Sequence, residues 1–292
     1  MNINPKILQA VGITALLAVP AYSQTQDPPP VSASAITDDL YVVTGGRGAN
    51  SAFMVGEEGI LLVDSKLDAD SAEAMLAAIR DVSDGDIAYL INTHVHIDHT
   101  GGNPLFGRLG AQIVAHEGVR SILSVGQRGG PPAPPEALPT VVFSDGGGTE
   151  IPFGDEIVRI DHIPPAHTAD HSIVEFVNAN VFVLGDLYSP SRYPVIAGGT
   201  FEGFIEGVES VIERSDANSR FVPGVGHITG KSELEDYVQM LTAVRDRVRA
   251  LIDDGSTLED VIAAAPTAGF DETWGAPDHR LFLPVVYQQL SQ

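Results

Sequence analysis

No cysteine occurs among the 292 residues. That absence excludes disulfides, thiolate nucleophiles, thiolate-bound zinc and the attachment point of a lipoprotein anchor. A metal centre in this chain must be assembled from His, Asp and Glu. Positive charge is scarce as well, with 16 Lys and Arg against 39 Asp and Glu and a formal charge of −23. Such a surface repels phosphate backbones and anionic lipid, so the expected partner is a small molecule, with no nucleic acid and no membrane. No apolar run reaches the roughly 20 residues that a membrane-spanning helix needs. The longest, residues 7–19, follows Lys6, the only charge in residues 1–23, and precedes Pro20-Ala21-Tyr22-Ser23. This pattern predicts a signal peptide over residues 1–23 and a periplasmic or secreted mature protein of charge −24.

What is present fits one large domain. Hydrophobic residues make up 43% of the chain, enough for a core, and no internal repeat is visible. Residues 24–35, with Pro28-Pro29-Pro30, read as a flexible leader, and residues 36–292 as the domain. Short apolar runs at 40–44, 51–55, 60–64, 87–92, 111–115, 157–163, 172–177, 181–184 and 220–222 predict strands. Helical spacing of apolar residues appears at 68–82, 119–125, 204–214 and 232–252, with a helix also expected to start within 101–109. Residues 126–139 are rich in Gly and Pro and lack apolar periodicity, the signature of a long loop that borders a site.

Directly after the apolar run 87–92 comes His94-Val95-His96-Ile97-Asp98-His99. In extended chain His94 and His96 share a face, while Val95 and Ile97 are expected to turn into the core. Thr100-Gly101-Gly102 then supplies a tight turn that brings Asp98 and His99 around to the same cavity. Imidazole and carboxylate are zinc ligands, and this density of them is rarely accidental.

Later positions complete a pattern. His167-Thr168 follows Pro164-Pro165-Ala166, Gly185-Asp186 ends the run 181–184, and His227 follows Pro223-Gly224-Val225-Gly226. Over residues 40–237 the chain resembles the metallo-β-lactamase superfamily. The resemblance implies an α/β fold, an αββα sandwich of two mixed β-sheets with helices on both outer faces. It also implies two Zn2+ ions. His94, His96 and His167 would hold one, Asp98, His99 and His227 the other, and Asp186 would bridge them. A metal-bound hydroxide would then open a small ester, lactone or amide bond, β-lactams included, with Asp98 and Asp186 as catalytic groups.

One departure stands out. The family's usual histidine position in this loop is Val225, and His227 lies two residues further on, so either the loop is rebuilt or the second metal lacks a ligand. Asp64 matches a family position that supports a metal-binding His, and it equally suits a turn cap. Tyr188, Arg192 and Tyr193 follow Asp186 on a loop that is able to contact substrate, although packing is the commoner role for such residues. His116, His162, His171 and His279 read as structural or exposed, Trp274 as core, and the helix start at Lys231 as solvated. Two other functions are compatible with the pattern. One is a mononuclear iron persulfide dioxygenase, favoured by Val225. The other is a non-catalytic periplasmic zinc-binding protein.

Overall fold

The computed structural model describes residues 27–275 and 279–292, so the expected signal segment lies outside the described residues, as does the side chain of His279. Seven strands form one sheet in chain order: β1 (Ser32–Ala35), β2 (Leu40–Thr44), β3 (Ser51–Gly56), β4 (Gly59–Val63), β5 (Ile87–Ile91), β6 (Gln112–His116) and β7 (Val141–Phe143). Pairing is antiparallel from β1 to β4 and parallel from β4 to β7. The second sheet holds β8 (Gly148–Phe153), β9 (Glu156–His162), β10 (Ser172–Phe176), β11 (Val181–Gly185) and β12 (Arg220–Pro223), also in chain order, with β11 and β12 parallel and the rest antiparallel.

The parity of side chains along the strands sorts them into layers. Leu61 and Val63 of β4 meet Ile160, Val174 and Val183 of the other sheet in the inner core. Ile60 and Leu62, one residue out of phase, pack on Ala72, Met75 and Ile79 of helix α1 (Ala69–Arg80). Both faces of β4 are therefore covered, which is why its sequence is apolar without alternation. Short helices α2 (Ile97–Thr100), α3 (Asn103–Arg108) and α4 (Glu117–Val125) complete that side. The outer face of the second sheet, through Ile173, Phe182 and Phe221, packs on α5 (Phe201–Arg214) and α6 (Lys231–Asp253). Helices α7 (Leu258–Ala263), α8 (Asp271–Trp274) and α9 (His279–Leu290) close the chain, and Trp274 lies in this outer core. The architecture is the expected αββα sandwich, with helices outside two mixed sheets.

Three strands differ from the sequence expectation. β1 takes Ser32–Ala35 out of the expected leader and pairs it with β2. Its residues are small and mostly exposed, so backbone pairing holds it and no apolar pattern betrays it. β7 and β8 escaped for related reasons: β7 is short and half exposed, and β8 carries Pro152, which an edge strand tolerates. Lys231 is also more than a solvated helix start. Its ammonium donates to the Ile212 and Ser215 carbonyls, capping the end of α5.

Candidate metal centre

After Ile91 the chain leaves β5, bends through residues 93–95 and enters the short turn of α2. A polar knot holds that turn. Ser65 N–H donates to the His99 carbonyl at 2.8 Å, the Ser65 hydroxyl donates to Asn103 Oδ1 at 2.8 Å, and the Asn103 amide donates to Asn92 Oδ1 at 2.8 Å. Glycine is required behind it, because a Cβ on Gly101 would come within 1.9 Å of the Leu67 carbonyl oxygen. Val95 is buried as expected, but Ile97 is 58% exposed. The strand ends at Ile91 and a helix begins at Ile97, so strand alternation does not extend to this residue.

This bend brings three ring nitrogens together with a histidine from the other sheet. His94 Nε2 lies 3.1 Å from His96 Nδ1, which lies 2.8 Å from His167 Nε2. Asp186 closes the group from the end of β11. Its Oδ2 is 3.5 Å from His167 Nε2 and its Oδ1 is 3.4 Å from His99 Nε2, so one carboxylate spans two donor sets. Asp98 Oδ2 stands 3.8 Å from His99 Nε2, at the exposed edge.

Tautomers decide whether such a cluster suits a cation. His99 Nδ1–H donates to Asp64 Oδ2 at 2.7 Å, and His167 Nδ1–H donates to the Val195 carbonyl at 2.5 Å. Thr93 O–H donates to Asp64 at 2.8 Å, which leaves its oxygen to accept from His94 Nδ1–H at 3.2 Å. Each outward bond fixes the hydrogen outside and turns the Nε2 lone pair inward. His99 Nε2 and Asp186 Oδ1 are buried with no hydrogen-bond partner among the described residues. Lone pairs crowded at these separations repel unless a cation lies between them, and imidazole with carboxylate is a set for a borderline divalent metal.

Electrostatics favour the cation-binding form of His94, His96 and Asp186, whereas His99 would exchange a proton for the metal. Burial, with the neighbouring rings adding to it, pushes the His94 imidazole well below its ordinary value and His96 down to about 3. Burial opposes ionisation of Asp186, yet His99, 3.4 Å away, and the His167 and Arg192 charges hold the carboxyl well below the usual range. For His99 burial again works against charge, but Asp64 beside it raises the imidazolium well above the ordinary histidine value.

His227 is not brought to the cluster. It is exposed on its loop and belongs to neither group of converging donors. The two-residue displacement carries it past the site while the preceding backbone stays close, since a Cβ on Gly224 would lie 2.3 Å from Asp186 Oδ1. Val225 is 36% exposed, so no side chain of this loop takes the fourth place. Tyr193 is buried and its hydroxyl donates to Asp271 Oδ1 at 2.7 Å, while the residue also lines the cleft beside Asp186. Tyr188 is also buried, against Tyr237, with burial pushing its phenol up to about 12. Arg192 does reach the site, half-buried in a shallow cleft that Asp186, Tyr188, Ser189, Tyr193 and Val195 also line.

A further group of His116, Asp145 and His162 is not a metal centre by the same test. In both rings Nδ1 accepts a backbone N–H, from Gly118 and Gly146, so each Nε2 carries hydrogen. The His116 Nε2 lies 3.0 Å from Asp145 and the His162 Nε2 donates to the Ala169 carbonyl at 2.8 Å.

The family profile described as the metallo-beta-lactamase superfamily matches residues 44–236, a span that holds every donor of the cluster. The chain belongs to the metallo-β-lactamase superfamily. Among curated relatives it is similar to the metallo-beta-lactamase type 2 of Elizabethkingia meningoseptica, 25% identical over 186 residues that cover 61% of this chain and 69% of that one. Among solved structures it is similar to a metallo-beta-lactamase from Pontibacter korlensis, with a TM-score of 0.62 at 18% identity over 73% of this chain and 99% of that one. It is also similar to the stereoselective inverting sec-alkylsulfatase Pisa1 from Pseudomonas sp., with a TM-score of 0.72 at 16% identity. That match covers 88% of this chain and 50% of the sulfatase, so this superfamily member spans half its length.

Several residues that support the metallo-β-lactamase site carried no signal in the sequence. Thr93 and Asn103 act through hydrogen bonds across 29 and 11 residues. His171 donates to the Leu184 carbonyl at 3.0 Å and stacks on His94 at 5.0 Å, a packing role. Arg128, from the Gly- and Pro-rich loop, places its guanidinium 3.3 Å from His96 Nε2.

Proposed function

We propose that this chain is an exported, zinc-dependent metallo-hydrolase that opens a small ester, lactone or amide bond, β-lactams included. The observation that carries this reading is Asp186, whose two oxygens reach His167 on one side and His99 on the other. His94, His96 and His167 would hold one zinc, and Asp98 with His99 a second, with Asp186 shared between them. When bound, the metal supplies Lewis acidity and lowers the pKa of its water toward about 7. The chain's own residues do the rest. Asp64 and Thr93 orient the rings, and Asp98, at the open edge, is the group placed to orient the attacking water and pass a proton to the leaving group. Arg192 favours an oxyanion or carboxylate beside Asp186. The relatives named as a β-lactamase and an alkylsulfatase support hydrolysis as the reaction type. Export rests on the sequence of residues 1–23 alone.

The missing fourth ligand at Val225 and His227 favours a second reading, a one-metal enzyme such as an iron persulfide dioxygenase. Elemental analysis of the purified protein, paired with assays on ester, lactone, β-lactam and persulfide substrates, tests both. Zinc with hydrolysis supports the first reading. Iron at one per chain with persulfide oxidation replaces it.

A further inference from the structure

In a chain this acidic, cations are expected to be tied to carboxylates. Every Lys and Arg whose side chain is described does hold a protein oxygen, through an ion pair or a backbone carbonyl, except two. The two exceptions, among the described residues, are Arg128 and Arg192, and both stand at the metal cluster. Arg128 is the more telling because the fold holds it there. Its backbone adopts φ 48° and ψ 35°, a left-handed conformation unusual for a residue with a side chain. The turn that imposes this is anchored to the metal loop by Gln127, whose amide donates to the Val95 carbonyl at 2.6 Å.

Among the described residues the one partner of Arg128 is His96 Nε2, the ring nitrogen opposite the Nδ1 that joins the cluster. A neutral imidazole that offers its Nδ1 lone pair inward carries its hydrogen on Nε2. Guanidinium has donors alone, so it then has no acceptor on His96. Arg128 and His96 Nε2–H become neighbouring donors 3.3 Å apart, a pair that one anion would satisfy.

Exposed apolar side chains lie on the segments around it. Val125 at 72%, Ile97 at 58% and Val195 at 55% are the most exposed large hydrophobic side chains among the described residues. All three lie on segments that carry the site. Ile97 sits between His96 and Asp98, Val125 immediately precedes the Arg128 turn, and the Val195 carbonyl accepts from His167.

We propose that Arg128 is a specificity-determining residue that grips an anionic group on the substrate, so that this site takes amphiphilic anions, with an apolar body against Ile97, Val125 and Val195. The assignment rests on the metallo-hydrolase reading for the reaction itself, and its test is independent of turnover. Calorimetric titration of zinc-loaded protein with octanoate and with octanol compares an anion with a neutral molecule of the same chain length. In Arg128→Gln the octanoate Kd is expected to rise about tenfold, equal to about 1.4 kcal/mol, with octanol unchanged. Arg128→Lys is expected to recover most of the loss. Equal octanoate affinity in all three proteins, or a parallel loss for octanol, overturns the assignment, as does loss of zinc from the variants. Ester turnover with unchanged octanoate affinity would sink the anion grip and spare the hydrolase. Charge-selective binding without any turnover would do the reverse.

Discussion

His99 Nδ1 lies 2.7 Å from Asp64 Oδ2, and neither side chain has contact with solvent. Asp64 also accepts from the Thr93 N–H at 2.9 Å and the Thr93 hydroxyl at 2.8 Å, and its own backbone sits at φ 60°. A left-handed aspartate at the end of β4 thus sets the tautomer of a ring 35 residues away.

Asp64→Asn keeps the size and removes the charge that holds the His99 hydrogen outward. Metal affinity is expected to fall between about 10-fold and 100-fold, read by competition with a chromogenic chelator. Unchanged affinity would show that His99 does not depend on Asp64.

Metal stoichiometry separates His167, which fits the family pattern, from His227, which departs from it. His167→Ala removes a nitrogen 2.8 Å from His96 and is expected to lose metal, whereas exposed His227→Ala is expected to keep the wild-type content. Mass spectrometry of the metals settles it. A drop in the His227 variant would mean that its loop closes on the site in solution.

Gly224→Ala tests the wall behind the shared carboxylate. The added methyl would stand 2.3 Å from Asp186 Oδ1, and Gly224 is not among the positive-φ glycines, so the strain falls on the carboxylate and not on the backbone. Activity and metal affinity are expected to fall at least tenfold, while thermal unfolding of the metal-free protein shifts little. A fully active variant would mean that Asp186 can move without consequence.

Lys66, almost wholly buried, donates to the Val43 and Ala49 carbonyls, and burial lowers its pKa from 10.5 to about 8 although Asp64 pulls the other way. Between those values the unfolded chain binds a proton that the folded chain does not, so this group makes stability rise with pH. From pH 8 to pH 10 the gain relative to Lys66→Met is expected to be about 2 kcal/mol, measured by urea unfolding. Parallel pH profiles would contradict it.

The sequence made the fold and most of the cluster readable because their determinants are local. Strands buried on both faces announce themselves as apolar runs, and His94, His96, Asp98 and His99 sit within one turn of chain. His167 and Asp186 were found through the family pattern. What stayed hidden depends on loop path. Nothing near His227 reveals that its backbone passes Asp186 and leaves the imidazole in solvent, and nothing near Arg128 reveals that a left-handed turn aims it at His96. Nor does anything near Tyr193 reveal that its hydroxyl donates to Asp271, 78 residues away.

The donors come from both halves of the sandwich, His94, His96 and His99 from the end of β5 in one sheet and Asp186 from the end of β11 in the other. A cation held by all of them is a rivet through the two layers. Where it is seated, the sheets cannot part at that edge without breaking coordination, so amide exchange in β5 and β11 should slow together when metal is added. Metal supply would then govern how long the folded chain lasts as well as what it does.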